Sequence, residues 1–146
     1  MDIVTSIPVR LIDSERATLL LEQVRERIAR RAYENFIERG GLDGRDVDDW
    51  LNAERELIVK PAARVQSEGE DIFVEVILPE IALPNLAVHI APSHLLISSD
   101  ADEDGLQLCQ VIDLPLAISM DGVDAEQWDN MLRITAAVSN SQPQFA

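Results

Sequence analysis

Oxygen-bearing side chains recur at alternate positions in Asp100-Ala101-Asp102-Glu103-Asp104 and the run closes on Gly105, an arrangement that can wrap a hard cation such as calcium. A full helix-loop-helix site needs a bidentate acid at the twelfth position, where Val111 stands, so the run reads as a solvated hairpin tip. His89 and His94 could each offer a ring nitrogen to a metal, but the local sequence supplies no third ligand. Cys109, the single cysteine, has no base or cation beside it to favour the thiolate and is expected to be a buried, inert thiol. Arg25, Arg27, Arg30 and Arg31 could bind phosphate, yet Glu22, Glu26, Glu34 and Glu38 stand at helical spacing from them and can neutralise the cluster. No Ser-His-Asp order, glycine-rich phosphate loop or pair of catalytic acids emerges. The inventory predicts neither an enzyme nor a bound metal or cofactor.

With so little chemistry to position, the organisation of the chain carries the reading. Its formal net charge is −15, and it is unevenly spread. Eleven of the 12 basic residues precede Gln66, where they meet 13 acids, whereas residues 67–146 carry 14 acids against Arg133 alone. Such unlike halves predict two modules. The global field repels phosphate backbones and anionic lipid headgroups, which argues against nucleic acid or a membrane surface as partner. No long apolar run or export signal stands out, so the expected location is the cytoplasm, in keeping with a lone cysteine.

In residues 14–39 the apolar positions Ala17, Leu20, Leu21, Val24, Ile28, Ala32, Phe36 and Ile37 recur every three or four residues, predicting a helix that stops at Gly40-Gly41. After a turn at Asp43-Gly44, a second helix is expected from an Asp46 N-cap to Lys60, with Val47, Trp50, Leu51, Ala53, Leu57 and Ile58 as its apolar side and Pro61 closing it. The short connection makes the pair antiparallel, with Tyr33, Phe36 and Trp50 interdigitated as a small core. The run Arg31-Ala32-Tyr33-Glu34-Asn35-Phe36-Ile37-Glu38-Arg39-Gly40, followed by Asp43-Gly44, Asp46, Asp49-Trp50 and Ala53-Glu54, resembles a short bacterial helical domain of unknown function over residues 25–57.

Polar residues 65–70, containing Gly69, read as a linker between a helical domain at residues 1–64 and a second domain of different character. Beyond it the period falls to two. Ile72, Val74, Val76 and Leu78 share one face of a strand, and Leu86, Val88 and Ile90 share one face of the next. Further strands are expected at residues 95–98, 106–114 and 131–138, the last paired with a strand at Trp128 across Asp129-Asn130. Short strands at even spacing predict an immunoglobulin-like antiparallel β-sandwich over residues 71–138, ahead of a flexible tail at 139–146.

The order of these pieces resembles the α-crystallin (Hsp20) domain of the small heat-shock protein family over residues 69–138. The matching motifs are Asp71-Ile72-Phe73-Val74-Glu75-Val76-Ile77-Leu78-Pro79-Glu80-Ile81, Leu86-Ala87-Val88-His89-Ile90, Leu95-Leu96-Ile97-Ser98, Ile112-Asp113-Leu114-Pro115 and residues 125–134. The resemblance implies an ATP-independent stress-response holdase that buries exposed apolar segments of partly unfolded clients. Candidate contact residues are Leu86, Val88, Ile90, Leu106 and Leu108 on the sandwich and Tyr33, Phe36 and Trp50 on the hairpin. The chain departs from the family at Gln110, where an arginine is usual, in lacking an Ile-x-Ile anchor in its tail, and in joining two strands by residues 99–105 alone. Each departure removes an assembly element, so the expectation is a monomer or a homodimer through the helical hairpin. The alternative reading is a non-enzymatic adaptor that recruits one folded protein partner.

Overall fold

In the computed structural model, residues 4–11, 14–41, 44–81 and 83–139 are described. The alternation of apolar and polar side chains builds two sheets that face each other and are not closed into a barrel. One runs in the order β1 (Thr5–Ser6), β9 (Asp124–Trp128), β10 (Met131–Ala137), β5 (Asp71–Ile77), β4 (Ala63–Glu68). The other runs β2 (Val9–Leu11), β6 (Ala87–Ile90), β7 (His94–Ser98), β8 (Gln107–Asp113), β3 (Ile58–Val59). Between them lie Ile72, Val74, Val76 and Leu78, the expected inward set, with Val88, Ile90, Leu95, Ile97, Leu108, Leu132 and Ile134.

Helices α1 (Ser14–Glu38) and α2 (Asp46–Leu57) form the expected hairpin and are inserted between β2 and β3. Gly40 and Gly41 stop α1 at φ 93° and 70°, with Gly40 N–H donating to the Ile37 carbonyl and Gly41 N–H to that of Phe36. Asp43 lies outside the described residues, as do residues 140–146 of the tail.

Several expectations change on contact with the fold. Arg45, not Asp46, is the N-cap of α2 and makes no side-chain capping bond; Asp46, Asp48 and Asp49 form the acidic first turn, where they face the positive end of the helix dipole. The helix ends at Leu57, because the β-branched pair Ile58-Val59 leaves it to pair with Gln107 and Leu108 of β8.

Residues 65–70 are no linker. They complete β4 and a two-residue turn in which Gly69, at φ 60°, brings Glu68 opposite Asp71. Residues 1–64 likewise do more than form helices, since β1, β2, β3 and the start of β4 belong to the sandwich. Nor is every pairing antiparallel: β2, which leads into the helical hairpin, runs parallel to β6, and β3, which leaves it, runs parallel to β8, neither pair being joined by a tight turn.

The hairpin is seated on the sandwich. Val24, Ile28, Ala53 and Ile58 pack against Leu96 and Cys109, which point outward from β7 and β8, with Leu20, Leu21, Ala32, Trp50 and Leu57 around them. Leu51 is 42% exposed because it lies one position, about 100° of helix rotation, beyond Trp50; Val47 and Ile37 are also exposed.

Candidate partner-binding surfaces

The interior of the sandwich accounts for half of the eight residues proposed as contacts on sequence grounds. Val88 and Leu108 are completely buried, Ile90 is 2% exposed and Leu86 8%, and all four pack between the sheets. They hold the fold and offer no surface, because inward phase and accessibility exclude each other on a covered strand face. Leu106 is half-buried just before β8. On the hairpin, Tyr33 is exposed instead of interdigitated, its ring 6.2 Å from that of the half-buried Phe36. Trp50 is half-buried against the hairpin–sheet core, with the Arg25 guanidinium 5.8 Å from its ring.

The surfaces that are available lie elsewhere. On the outer face of the first sheet, Met131 stands opposite Trp128 on one side and Ile77 on the other, making an apolar row across three strands. Ile77 is 54% exposed, and Trp128 and Met131 are half-buried. The row is hidden from the apolar phase of each strand, because these residues belong to the opposite phase. The overlooked signal was an aliphatic residue and an aromatic one on the solvent phase of neighbouring strands. The next row is charged and alternates in sign, with Glu126, Arg133, Glu75 and Arg64 side by side. Arg133 also lies over the Phe73 ring at 4.7 Å.

A second surface is a cleft of about 550 Å³ where the hairpin meets β8, lined by Leu21, Val24, Arg25, Ile28, Trp50 and Cys109 among others. Burial pushes the Cys109 thiol pKa up, with the Lys60 charge opposing this more weakly, so its nucleophilicity is suppressed.

A third feature is an edge already closed. Thr5 and Ser6 pair with Gln127 and Glu126 of β9, and Val9 to Leu11 pair with β6, so one short strap crosses from sheet to sheet. Ile7 is tucked into the core at the crossing, 8% exposed, where its N–H donates to the Ala125 carbonyl.

The charged motifs are bound up in the fold. Arg31 meets Glu56, Glu34 and Glu38, which raise its pKa above the ordinary arginine value, while Arg27 reaches Gln107 and the Gly105 carbonyl. In the acidic loop Asp102 accepts from the Asp104 and Leu106 N–H groups at 2.9 Å each, and Asp100 accepts from Asn85. His89 lies 3.1 Å from the Ser98 hydroxyl. Among the described residues no group of three or more His, Cys, Asp and Glu is placed to hold a metal ion, and no helix is long and apolar enough to cross a membrane.

A family model described as a protein of unknown function (DUF2934) matches residues 23–57, the helical hairpin. No curated protein matches the chain in sequence. Among solved structures the chain is similar to heat shock protein 16.0 from Schizosaccharomyces pombe, with 18% identity and a TM-score of 0.50 over 72% of this chain and 94% of that one. It is also similar to a Del-C4 mutant of hsp14.1 from Sulfolobus solfatataricus P2, with 20% identity and a TM-score of 0.49 over 76% of this chain and 98% of that one. The first likeness fixes the fold as the sandwich of small heat-shock proteins, carrying here a helical hairpin of the unknown-function type.

Proposed function

We propose that the chain is an ATP-independent holdase that binds apolar segments of partly unfolded proteins on the outer face of its first sheet. The observation that carries this reading is the exposed row of Trp128, Met131 and Ile77. An apolar client segment laid there loses water-exposed surface, and the neighbouring charged row limits the patch to one segment's width. The net charge of −15 would keep loaded complexes apart and dissolved. Nothing in this action calls for a catalytic group, a metal or a cofactor.

The test is suppression of thermal or reductive aggregation of a model client at near-stoichiometric ratio without ATP. Protection by the native protein, lost in Ile77→Asp, supports the reading. Because Ile77 is half in solvent, that substitution leaves the core intact.

A second reading, a non-enzymatic adaptor for one folded partner, is favoured by the cleft between the seated hairpin and β8, a shape held by packing on both sides. An affinity pulldown that returns one dominant partner, together with no client protection, selects it.

A further inference from the structure

Every sheet has two edges, and this sandwich treats its edges unequally. The strap covers β9 and β6, and β3 covers β8. At the other end of the first sheet β4 is the terminal strand, and among the described residues no strand pairs with its far side. Ala63, Arg64, Gln66, Ser67 and Glu68 are all exposed, and only Val65 is partly covered.

Which backbone groups face that free side is set by one bond. Ile77 N–H donates to the Ala62 carbonyl, so residues 62 and 77 form a hydrogen-bonded pair of the antiparallel ladder. Alternation then turns the N–H and C=O groups of Ala63, Val65 and Ser67 away from β5, toward open solvent. Soluble proteins usually blunt such an edge with charged side chains along it, a proline, a bulge or an inward-pointing charge. β4 has no proline, bulge or inward-pointing charge. Its register with β5 is continuous from Ala63 to Glu68, and its charged side chains, Arg64 and Glu68, share the outer face with Gln66.

The charges on this strand are arranged end to end. Lys60 and Arg64 lie at its start, and Glu68, Glu70 and Asp71 at its finish. Glu68 stands directly opposite Asp71, a like-charge pair that is unfavourable within one chain. A second copy running antiparallel brings its Arg64 to that acidic end, and its Glu68 to the basic end of the first. A parallel neighbour would set like charges together.

From this edge and its charge order we propose that β4 is a self-association surface. Two copies pair their β4 strands antiparallel about a two-fold axis centred near Gln66, placing Arg64 of each copy beside Glu68 of the other and joining the two first sheets into one. The arrangement is isologous and closes on itself, giving a dimer and not a filament. It does not depend on what the protein holds. It also differs from the homodimer expected through the helical hairpin, whose apolar stripe is largely taken up by Leu96 and Cys109.

The test is the mass of the full chain in solution by sedimentation equilibrium. The native protein is expected to be a concentration-dependent dimer. Ser67→Pro removes one outward N–H from each strand and nothing from the β4–β5 ladder, so it should yield a folded monomer. Glu68→Arg should weaken the dimer about tenfold while relieving the repulsion from Asp71 inside each chain, so its melting temperature does not fall. The double variant Arg64→Glu with Glu68→Arg should regain the lost affinity. A native protein that is monomeric throughout would overturn the proposal. So would a dimer that survives Ser67→Pro and Glu68→Arg, or one abolished only by substitutions on α1 and α2.

Discussion

Arg39 grips both oxygens of Asp49, with Nε 2.9 Å from Oδ1 and Nη2 2.8 Å from Oδ2. The two residues stand just past the end of α1 and in the first turn of α2, so the fork fixes the corner of the hairpin. The Arg39 guanidinium also lies 5.2 Å from the Phe36 ring, and Asp49 is only 6% exposed. A planar fork matches a carboxylate at both oxygens at once, which a lysine cannot do.

That pairing makes the hairpin pH-dependent in a definite direction. Hydrogen bonds from Arg39 hold the Asp49 carboxyl below its ordinary value of 3.8, outweighing the opposing effect of burial. A carboxylate whose folded pKa is depressed stabilises the fold fully above the ordinary value, and that contribution disappears as pH falls through the lower folded value. Asp49→Asn should therefore lower the melting temperature at neutral pH, and the gap from the native protein should shrink as the pH drops below 3.8. Melting curves of both proteins across acid pH, followed at the helix signal, check this. A gap independent of pH would mean that the carboxylate charge is immaterial.

Docking of the hairpin rests on a few buried aliphatic side chains. Ile28 is 3% exposed and Leu96 2%, and they share one cluster. Truncating either to alanine should cost about 2–5 kcal/mol, from lost transfer energy plus the cavity left behind. Chemical denaturation read separately at Trp50 and Trp128 would distinguish release of the hairpin from loss of the whole sandwich.

Cys109 reports on the same contact without any substitution in the sheet. The thiol is buried beneath the hairpin and its pKa is raised by desolvation, so it should react slowly with a soluble thiol reagent at neutral pH. In Ile28→Ala the hairpin lifts more often, and labelling should accelerate by the factor that the docking equilibrium shifts. Equal rates in the two proteins would show that reagent reaches Cys109 through the cleft with the hairpin in place.

What the sequence disclosed divides along physical lines. Strands with one face in the core and one in water declare themselves by alternation, and Ile72, Val74, Val76 and Leu78 emerged in the right phase. β1 and β3 are two residues long and β2 three, too short for any period to register. β4 reads as polar because an edge strand exposes nearly all of its side chains, and so it passed for a linker. The run Leu95-Leu96-Ile97 held an unused signal. A strand apolar at consecutive positions is covered on both faces, and here the second cover is the hairpin, through Leu96. The proposed client row could not be found by seeking apolar phase, since Ile77 and Met131 are the exceptions on the wet side of their strands.

The strap supplies the sharpest test of how the sandwich meets its clients. Residues 5–11 cap β9 and β6 with backbone bonds, and Ile7 and Val9 pack against the core between the sheets. Removing residues 1–11 bares two strand edges and the site of Ile7, both of which attract extended apolar segments. The truncated chain should be less stable than the native one and should capture more aggregating client per molecule, whereas Ile7→Ala, at about 2–5 kcal/mol, should loosen the strap and move capture the same way. Combining the truncation with Ile77→Asp separates the surfaces. Capture that persists in the combined variant belongs to the bared edges, and capture that vanishes belongs to the row of Trp128, Met131 and Ile77.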